Sequence, residues 1–326
     1  MTPASGRRPL RFGVSLAPDA SVPLLRTAQE ADRFGLDLFG VRDQPYRRDT
    51  ADALTLVSAV LAATSRIRVL PAVACLPLRP PAILAKAVAT MDRLSGGRVE
   101  LGLGAGTDWD GVEAYGGTRP GGGGAGGGGA GGGGAGGGGA GGEGGGAAAA
   151  RRALEEAVRI IRLHWSDQNG LRFQGEHYRF TASQAGPAPV HQIGIWLGVT
   201  GPRGLDLAGR VADGWIAPSS LVPPKRLADG QRRLDDAAAN AGRGPEEIRR
   251  VYVLEGSLDA RDARGFLHGP PRQWIYELTE LAIGHRVDSF LFGGRPEQLT
   301  EFALEVVPAV REQIARERGS TVAVRG

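Results

Sequence analysis

Short apolar runs alternate with helical patterns along nearly the whole chain, and this alternation strongly restricts the possible folds. Eight runs have the length and composition of buried strands: residues 11–18, 36–41, 67–76, 95–106, 193–199, 213–218, 248–258 and 287–294. Most segments between them carry apolar residues at helical spacing, as Leu54, Val57 and Leu61 do. Strands that alternate with helices form parallel sheets. Eight such units in 326 residues predict a closed (β/α)₈ barrel, the TIM-barrel fold.

A tract made almost entirely of glycine and alanine, residues 120–150, lies between the fourth and fifth predicted strands. Four predicted strands stand on each side of it, and four strands alone would not close such a barrel. We therefore predict a single barrel domain over residues 1–326, with the tract as a long flexible loop inside it. A flexible run of about 26 residues reaches roughly 28 Å between its ends, so it could loop out without straining the barrel. We also expect a helix from Ala147 onward and a small β-hairpin around Gly175, before the fifth predicted strand.

Composition and charge argue against several classes of partner. The net charge of +4 comes from scattered arginines, with no basic block interleaved with aromatic residues, so nucleic acid is not an expected partner. No apolar run approaches the length of a membrane span, and the first residues lack the apolar core of a signal peptide. Cys75 is the single cysteine, which excludes an internal disulfide and suits a reducing compartment. We expect a cytoplasmic protein.

The turn after the fifth predicted strand has the chemistry of an anion site. Gly198, Thr200 and Gly201 precede a predicted helix, and Pro202 suits the first helical position. Free N–H groups and the helix dipole favour a phosphate at such a turn, and glycine lets the backbone approach it. An ordinary tight turn between strand and helix would use the same residues, so this pattern leaves both interpretations open.

Other motifs were weighed and set aside. The sequence GLGAG, residues 102–106, lacks the immediate helix and the later acidic residue of a dinucleotide-binding fold. The five histidines do not cluster at strand ends, so we do not expect a metal-dependent barrel hydrolase. Asp108 and Asp110 flank Trp109 and could bind a metal, but solvated loop carboxylates explain them as well. We assign no metal-binding residue.

Three stretches together closely resemble one superfamily: FGLDLFGVRDQP (34–45), PPAILAKAVATMDRLSGGRVELGLGAG (80–106) and IGIWLGVTGPRGLDLAGRVADGWIAP (193–218). They resemble the bacterial-luciferase-like superfamily of FMN-dependent monooxygenases and deazaflavin (F420)-dependent oxidoreductases. The resemblance covers nearly the whole chain apart from the tract and the carboxyl-terminal tail. It implies a (β/α)₈ barrel that binds a flavin at the carboxyl ends of its strands.

The resemblance also implies roles for individual residues. Thr200 and Gly201 fall where relatives hold the flavin phosphate, and Val73 and Ala74 fall where many relatives carry a non-prolyl cis peptide behind the isoalloxazine ring. Gly104 and Gly106 would leave room for that ring. With the helix-start argument, these are the cofactor-binding candidates: Val73, Ala74, Gly104, Gly106, Gly198, Thr200 and Gly201.

Asp43, Gln44 and Thr107 are the candidates for catalysis, and here the chain departs from its relatives. Many F420-dependent relatives carry Asp-His after the second strand, where this chain has Asp43-Gln44. Glutamine donates and accepts hydrogen bonds but cannot shuttle a proton near neutral pH. Sugar-phosphate-oxidising relatives carry an acid where this chain has Thr107, which argues against that activity. Asp43 is the best ionisable candidate, unless it only caps its loop against Arg42 or Arg47.

We therefore predict an oxidoreductase that uses reduced FMN and O₂ on a small organic substrate, because the missing histidine favours FMN slightly. One alternative is hydride transfer by F420 without oxygen. Another, of a different class, is a non-catalytic flavin-binding barrel. The resemblance further implies a homo-oligomer, and a separate flavin or F420 reductase would be its partner.

Overall fold

The computed structural model describes residues 8–19, 22–120, 143–166, 168–258 and 262–323. The strands have these bounds: β1 (Arg11–Leu16), β2 (Leu38–Val41), β3 (Arg68–Pro71), β4 (Ala74–Cys75), β5 (Leu101–Gly104), β6 (Asn169–Gln174), β7 (Arg179–Gln184), β8 (Ile195–Gly198), β9 (Gly214–Pro218), β10 (Arg249–Leu254), β11 (Ser257–Leu258), β12 (His268–Gly269) and β13 (Ser289–Phe292). The α-helices have these bounds: α1 (Leu24–Arg33), α2 (Ala53–Ala63), α3 (Pro81–Ser95), α4 (Trp109–Ala114), α5 (Glu143–Trp165), α6 (Pro202–Val211), α7 (Pro224–Asn240), α8 (Pro271–Gly284), α9 (Leu299–Glu301) and α10 (Val307–Ala323).

Nine of these strands form one sheet, in the order β3-β2-β1-β13-β10-β9-β8-β5-β4. All neighbours in it are parallel. β3 and β4 are two halves of the third predicted strand, and a backbone bridge from Val69 to Val99 brings β3 beside the start of β5. The two ends of the order therefore meet. The predicted (β/α)₈ barrel is confirmed, with its third strand divided in two.

Local sequence explains where several outer helices begin and end. Asp52 caps α2, because its side chain accepts a hydrogen bond from the Thr55 N–H at 2.9 Å. Pro81 and Pro202 are the first residues of α3 and α6, where a proline loses no helical hydrogen bond. Gly96 ends α3 with a φ of 68°, a left-handed conformation that glycine adopts without strain.

The barrel has an inner and an outer apolar layer, because side chains alternate between the two faces of each strand. The outer layer packs against the helices and contains the fully buried Trp215 and Trp274. The inner layer fills the barrel axis and consists of Leu38, Leu70, Trp196, Ile216, Val251, Val253 and Leu291, with Ala72 and Val73 against it. These side chains occupy the barrel interior between its two ends.

The predicted β-hairpin is present, with β6 and β7 antiparallel. The carboxylate of Glu156, on α5, accepts the N–H groups of Glu176, His177 and Tyr178 at 2.7 to 2.9 Å, which fixes the hairpin turn against the helix. No helix of the described ranges is both long and apolar enough to cross a membrane.

Two segments differ from the sequence-based expectation. The short helix α4 was not predicted; its start is capped by Asp108, which accepts the Gly111 N–H at 3.2 Å. Helix α5 begins at Glu143, earlier than the expected Ala147, because the alanine-rich run that follows propagates a helix readily. The prediction of a flexible loop over residues 120–150 was therefore wrong for 143–150, which belong to α5, and residues 121–142 lie outside the described residues.

Candidate functional site

A cavity of about 180 Å³ lies at the carboxyl ends of β2, β4, β5 and β8. Active sites of (β/α)₈ barrels occur at this end of the strands. Its lining residues are Arg42, Asp43, Gln44, Tyr46, Ala72, Val73, Ala74, Cys75, Gly104, Ala105, Gly106, Thr107 and Gly198. The three catalytic candidates and five of the seven cofactor candidates thus share one cavity. The other two, Thr200 and Gly201, stand just beyond Gly198.

The floor of the cavity is shaped by a close contact between Val73 and two glycines. The non-prolyl cis peptide bond joins Ala72 to Val73, one bond earlier than the Val73–Ala74 pair expected from the resemblance. A Cβ atom on Gly104 would lie 2.5 Å from Cγ2 of Val73, and one on Gly198 would lie 2.9 Å from Cγ1. The space that we expected Gly104 to leave for a ring is therefore filled by the Val73 side chain. Gly106 is needed for another reason, since its φ is +87°.

Asp43 is buried and clamped by Arg79. Its carboxylate accepts hydrogen bonds from Arg79 Nε at 3.1 Å, Arg79 Nη2 at 2.8 Å and the Cys75 N–H at 2.9 Å. Arg79 also contacts Asp52, the cap of α2. The sequence-based suggestion that Arg42 or Arg47 pairs with Asp43 was wrong. Arg79 takes their place because the 3₁₀ turn Leu76–Leu78 carries it back toward Asp43.

Burial and nearby charges change the ionisation of several groups in and around this clamp. Burial opposes the charge of Arg79, but its hydrogen bonds and ion pairs with Asp43 and Asp52 outweigh that effect and raise its pKa. Burial and the charge of Asp43 raise the pKa of the Cys75 thiol to about 11. Burial, with nearby Cys75 and Asp108, also raises the pKa of Tyr46. Near neutral pH the wall of the cavity therefore carries a protonated thiol and a protonated phenol.

The start of α6 is open beside the cavity. Gly201 precedes the helix without a side-chain cap, and a Cβ atom there would meet no atom within 4 Å. Its carbonyl oxygen accepts the N–H groups of Gly204 and Leu205. The Trp215 indole holds the preceding turn by donating to the Val199 carbonyl at 2.8 Å. A fixed, uncapped helix start favours an anion, as the sequence pattern suggested.

Sequence reasoning missed an ion pair on the rim of the cavity. Arg42 Nη2 lies 3.4 Å from the Glu255 carboxylate, which also accepts the Ser220 N–H at 3.1 Å. Ser219 Oγ accepts the Glu255 N–H at 2.9 Å. These contacts tie the ends of β2, β9 and β10 together. The positions of Arg42 and Glu255 directly after strand ends could have marked them as site residues from the sequence. Their pairing across the barrel could not have been predicted in this way.

Metal chemistry finds no support in the part of the chain that the structure describes. No group of three or more His, Cys, Asp and Glu side chains there is arranged to hold a metal ion. Asp108, one of the two loop carboxylates considered as ligands, instead caps α4.

Curated proteins similar to this chain include a dehydrogenase and a reductase. An F420-dependent glucose-6-phosphate dehydrogenase of Nakamurella multipartita is 28% identical over 259 residues, which are 77% of this chain and 68% of the relative. A 5,10-methylenetetrahydromethanopterin reductase of Archaeoglobus fulgidus is 26% identical over 253 residues, 77% of this chain and 65% of the relative. The match thus spans about two thirds of these relatives.

Solved structures share the fold at lower sequence identity. An F420-dependent secondary alcohol dehydrogenase, in complex with an F420-acetone adduct, matches with a TM-score of 0.74 at 19% identity, over 93% of this chain and 99% of that one. The coenzyme F420-dependent tetrahydromethanopterin reductase of Methanopyrus kandleri matches with a TM-score of 0.73 at 16% identity, over 92% and 99%. Residues 12–264 match the luciferase-like monooxygenase family. The chain belongs to this family, whose members are TIM-barrel oxidoreductases.

Proposed function

We propose that this protein is an F420-dependent oxidoreductase that exchanges a hydride with a small organic substrate. The observation that carries the proposal is the similarity to an F420-dependent dehydrogenase among curated proteins. Solved structures with the same fold include two F420-dependent enzymes and also a riboflavin lyase with a modified FMN, so they support F420 less strongly. Together these similarities favour F420 over the FMN that we expected from the sequence. The presence of Gln44 where many F420-dependent relatives carry histidine favoured FMN only slightly. The similarity to F420-dependent enzymes outweighs it.

The described residues fit a phosphate-bearing cofactor. The uncapped start of α6 at Gly201 is suited to hold the phosphate, and Gly198 links that turn to the cavity. The Val73 side chain and the backbone of Ala74 and Cys75 form a fixed wall against which a flat ring would rest. When bound, F420 supplies the hydride acceptor or donor.

The polar wall of the cavity would bind and orient the substrate. Gln44 and Tyr46 provide hydrogen-bonding groups that keep their protonation state near neutral pH. Asp43 is held by Arg79, so its role is to fix the loop after β2 and the Cys75 backbone. Proton transfer to or from the substrate would then involve solvent.

We do not extend the substrate of the F420-dependent glucose-6-phosphate dehydrogenases to this chain. Thr107 lines the cavity where relatives that oxidise sugar phosphates carry an acid. A threonine hydroxyl is not a base near neutral pH, so a carbonyl or alcohol substrate without that requirement is the better match.

Titration of the apoprotein with F420 and with FMN tests the proposal. We expect saturable F420 binding that is at least tenfold tighter than FMN binding, measured by calorimetry or by cofactor fluorescence. Tight FMN binding with no F420 binding would restore the sequence-based prediction and overturn this one.

A further inference from the structure

A second cavity, of about 350 Å³, lies at the opposite end of the barrel from the candidate site. Its walls come from the amino ends of the strands, because Arg11, Arg68 and Arg249 are the first residues of β1, β3 and β10. Glu100 and Asp213, which also line it, directly precede β5 and β9. The inner apolar layer of the barrel lies between this cavity and the cofactor end.

Five arginines line the cavity: Arg8, Arg11, Arg68, Arg243 and Arg249. They come from the segment before β1, from three strands and from the segment after α7. Such a convergence of guanidinium groups is expensive unless acids balance it, because like charges repel in a partly buried space. The pairing of the arginines with acids therefore decides what the cavity can bind.

The acids of the cavity are too few, and two of them are divided between arginines. Glu100 lies 3.5 Å from Arg11 and 3.3 Å from Arg68, so one carboxylate serves two guanidinium groups. Asp213 is likewise shared, between Arg162 at 2.9 Å and Arg243 at 3.9 Å.

The remaining acids do not remove the excess. Glu247 lies 3.8 Å from Arg243, and Asp288 pairs with Arg249 at 2.9 Å. Arg8 donates to the backbone carbonyls of Glu246 and Glu247, which carry no charge. Asp92, the one further acid beside the cavity in the described part of the chain, pairs with His191 at 2.7 Å. The five arginines of the lining and Arg162 thus share four acids, so the described cavity keeps a surplus of positive charge.

The excess positive charge contributes to a lowered pKa of the buried Arg249. Burial, together with the charges of Arg11 and Arg8, lowers its pKa to about 10 in spite of Asp288 and Glu100. An anion in the cavity would relieve this repulsion, since an opposite charge stabilises the protonated guanidinium.

We propose that this cavity binds a small phosphorylated molecule, at a site separate from the cofactor cavity. Guanidinium groups bind phosphate oxygens in pairs of parallel hydrogen bonds, and several converging arginines suit a dianion. The volume exceeds that of one phosphate group, and the polar side chains of His191 and Gln192 line the remaining space. The ligand therefore carries a phosphate at the arginines and a polar body beside them.

Titration with inorganic phosphate at constant ionic strength, with chloride as the reference anion, tests the proposal on the full chain. We expect saturable binding by calorimetry and a phosphate-specific rise in Tm. The variant Arg11→Gln should weaken phosphate binding at least tenfold, and Arg11→Lys, which keeps the charge but loses the paired donors of the guanidinium, should weaken it by less. Arg232→Gln, at an exposed arginine of α7, is the matched control and should bind like the wild type.

The start of α6 is a second place where phosphate could bind, so the variant Gly201→Asp separates the two sites. Phosphate binding that survives Gly201→Asp and is lost in Arg11→Gln supports the proposal. Binding that is lost in Gly201→Asp and unchanged in Arg11→Gln overturns it. An equal response to phosphate and chloride overturns it as well. If Arg11→Gln does not fold, Arg243→Gln gives the same comparison, at a lining residue whose side chain is 19% exposed.

Discussion

Arg79 donates two hydrogen bonds to the Asp43 carboxylate, from Nε at 3.1 Å and from Nη2 at 2.8 Å, and the Asp43 side chain is completely buried. Bidentate pairs of this kind fix both partners in one orientation. Because Asp43 also accepts the Cys75 N–H, the pair joins the loop after β2 to the divided third strand. The geometry of the candidate site rests on this clamp.

Replacing Arg79 with methionine should destabilise the protein strongly, because it leaves the Asp43 carboxylate buried without a counter-charge. Removing one partner of a buried pair costs about 3 to 5 kcal/mol. Chemical denaturation at neutral pH measures the loss. Arg232→Met removes an exposed guanidinium from an ion pair with Asp229 and should cost less than about 1 kcal/mol. Equal effects of the two substitutions would contradict the role given to the clamp.

The Cys75 thiol should react with iodoacetamide slowly near neutral pH, because the thiolate is the reactive form. Burial and the charge of Asp43 raise its pKa to about 11, so the alkylation rate should keep rising with pH up to that value. The raised pKa means that the folded state holds this proton more tightly. The resulting stability is present below pH 9 and is lost as pH approaches 11.

Mass spectrometry of the alkylated protein across pH gives the profile. In Asp43→Asn the midpoint should fall, because one cause of the shift is gone. Bound F420 should slow the alkylation in the wild type, since Cys75 lines the proposed cofactor cavity. A midpoint near the ordinary value of 9 would show that the thiol is not in this environment.

Gly104→Ala should destabilise the protein by about 1 to 3 kcal/mol, the usual cost of overpacking a filled interior. The added Cβ atom would lie 2.5 Å from Cγ2 of Val73. Val73→Ala removes that atom, so the double variant should be more stable than the sum of the two single effects predicts. Equilibrium unfolding of the wild type and the three variants completes the cycle. Strict additivity would mean that Gly104 is needed for something other than the contact with Val73.

Gly201→Asp should weaken F420 binding at least tenfold while leaving the fold as stable as before. Aspartate is a good helix cap, so it should satisfy the N–H groups at the start of α6, but its charge repels a phosphate. Gly201→Ala is the matched control, because its Cβ atom would meet nothing within 4 Å. Calorimetric titration of both variants with F420 provides the comparison. Unchanged affinity of Gly201→Asp for F420 would mean that the phosphate does not bind at the start of α6.

The barrel could be predicted because its signals are local. Apolar runs define the strands, and the position of Pro202 after Gly201 marks the start of a helix without any tertiary information. Because the carboxyl ends of parallel strands meet at one end of a barrel, most of the candidates chosen at strand ends lie in one cavity. The division of the third strand at Ala72–Val73 has no such local signature.

Contacts between distant side chains could not be predicted in the same way. The partner of Asp43 depends on how the turn Leu76–Leu78 directs Arg79, and nearby Arg42 instead reaches Glu255 across the barrel. The close fit of Val73 against Gly104 and Gly198 likewise exists only once the barrel closes. The choice between FMN and F420 was beyond the sequence argument, because a phosphate turn and a ring cavity serve both cofactors.

The most direct test of the central claim is F420 turnover in the absence of oxygen. Purified protein, F420 and a panel of small alcohols are mixed anaerobically, and reduction of the deazaflavin is followed by its absorbance. We predict substrate-dependent reduction of F420 at a rate that oxygen does not increase, and its loss in Gly201→Asp but not in Gly201→Ala. Oxygen consumption that requires reduced FMN and substrate, with no reaction of F420, would contradict the account.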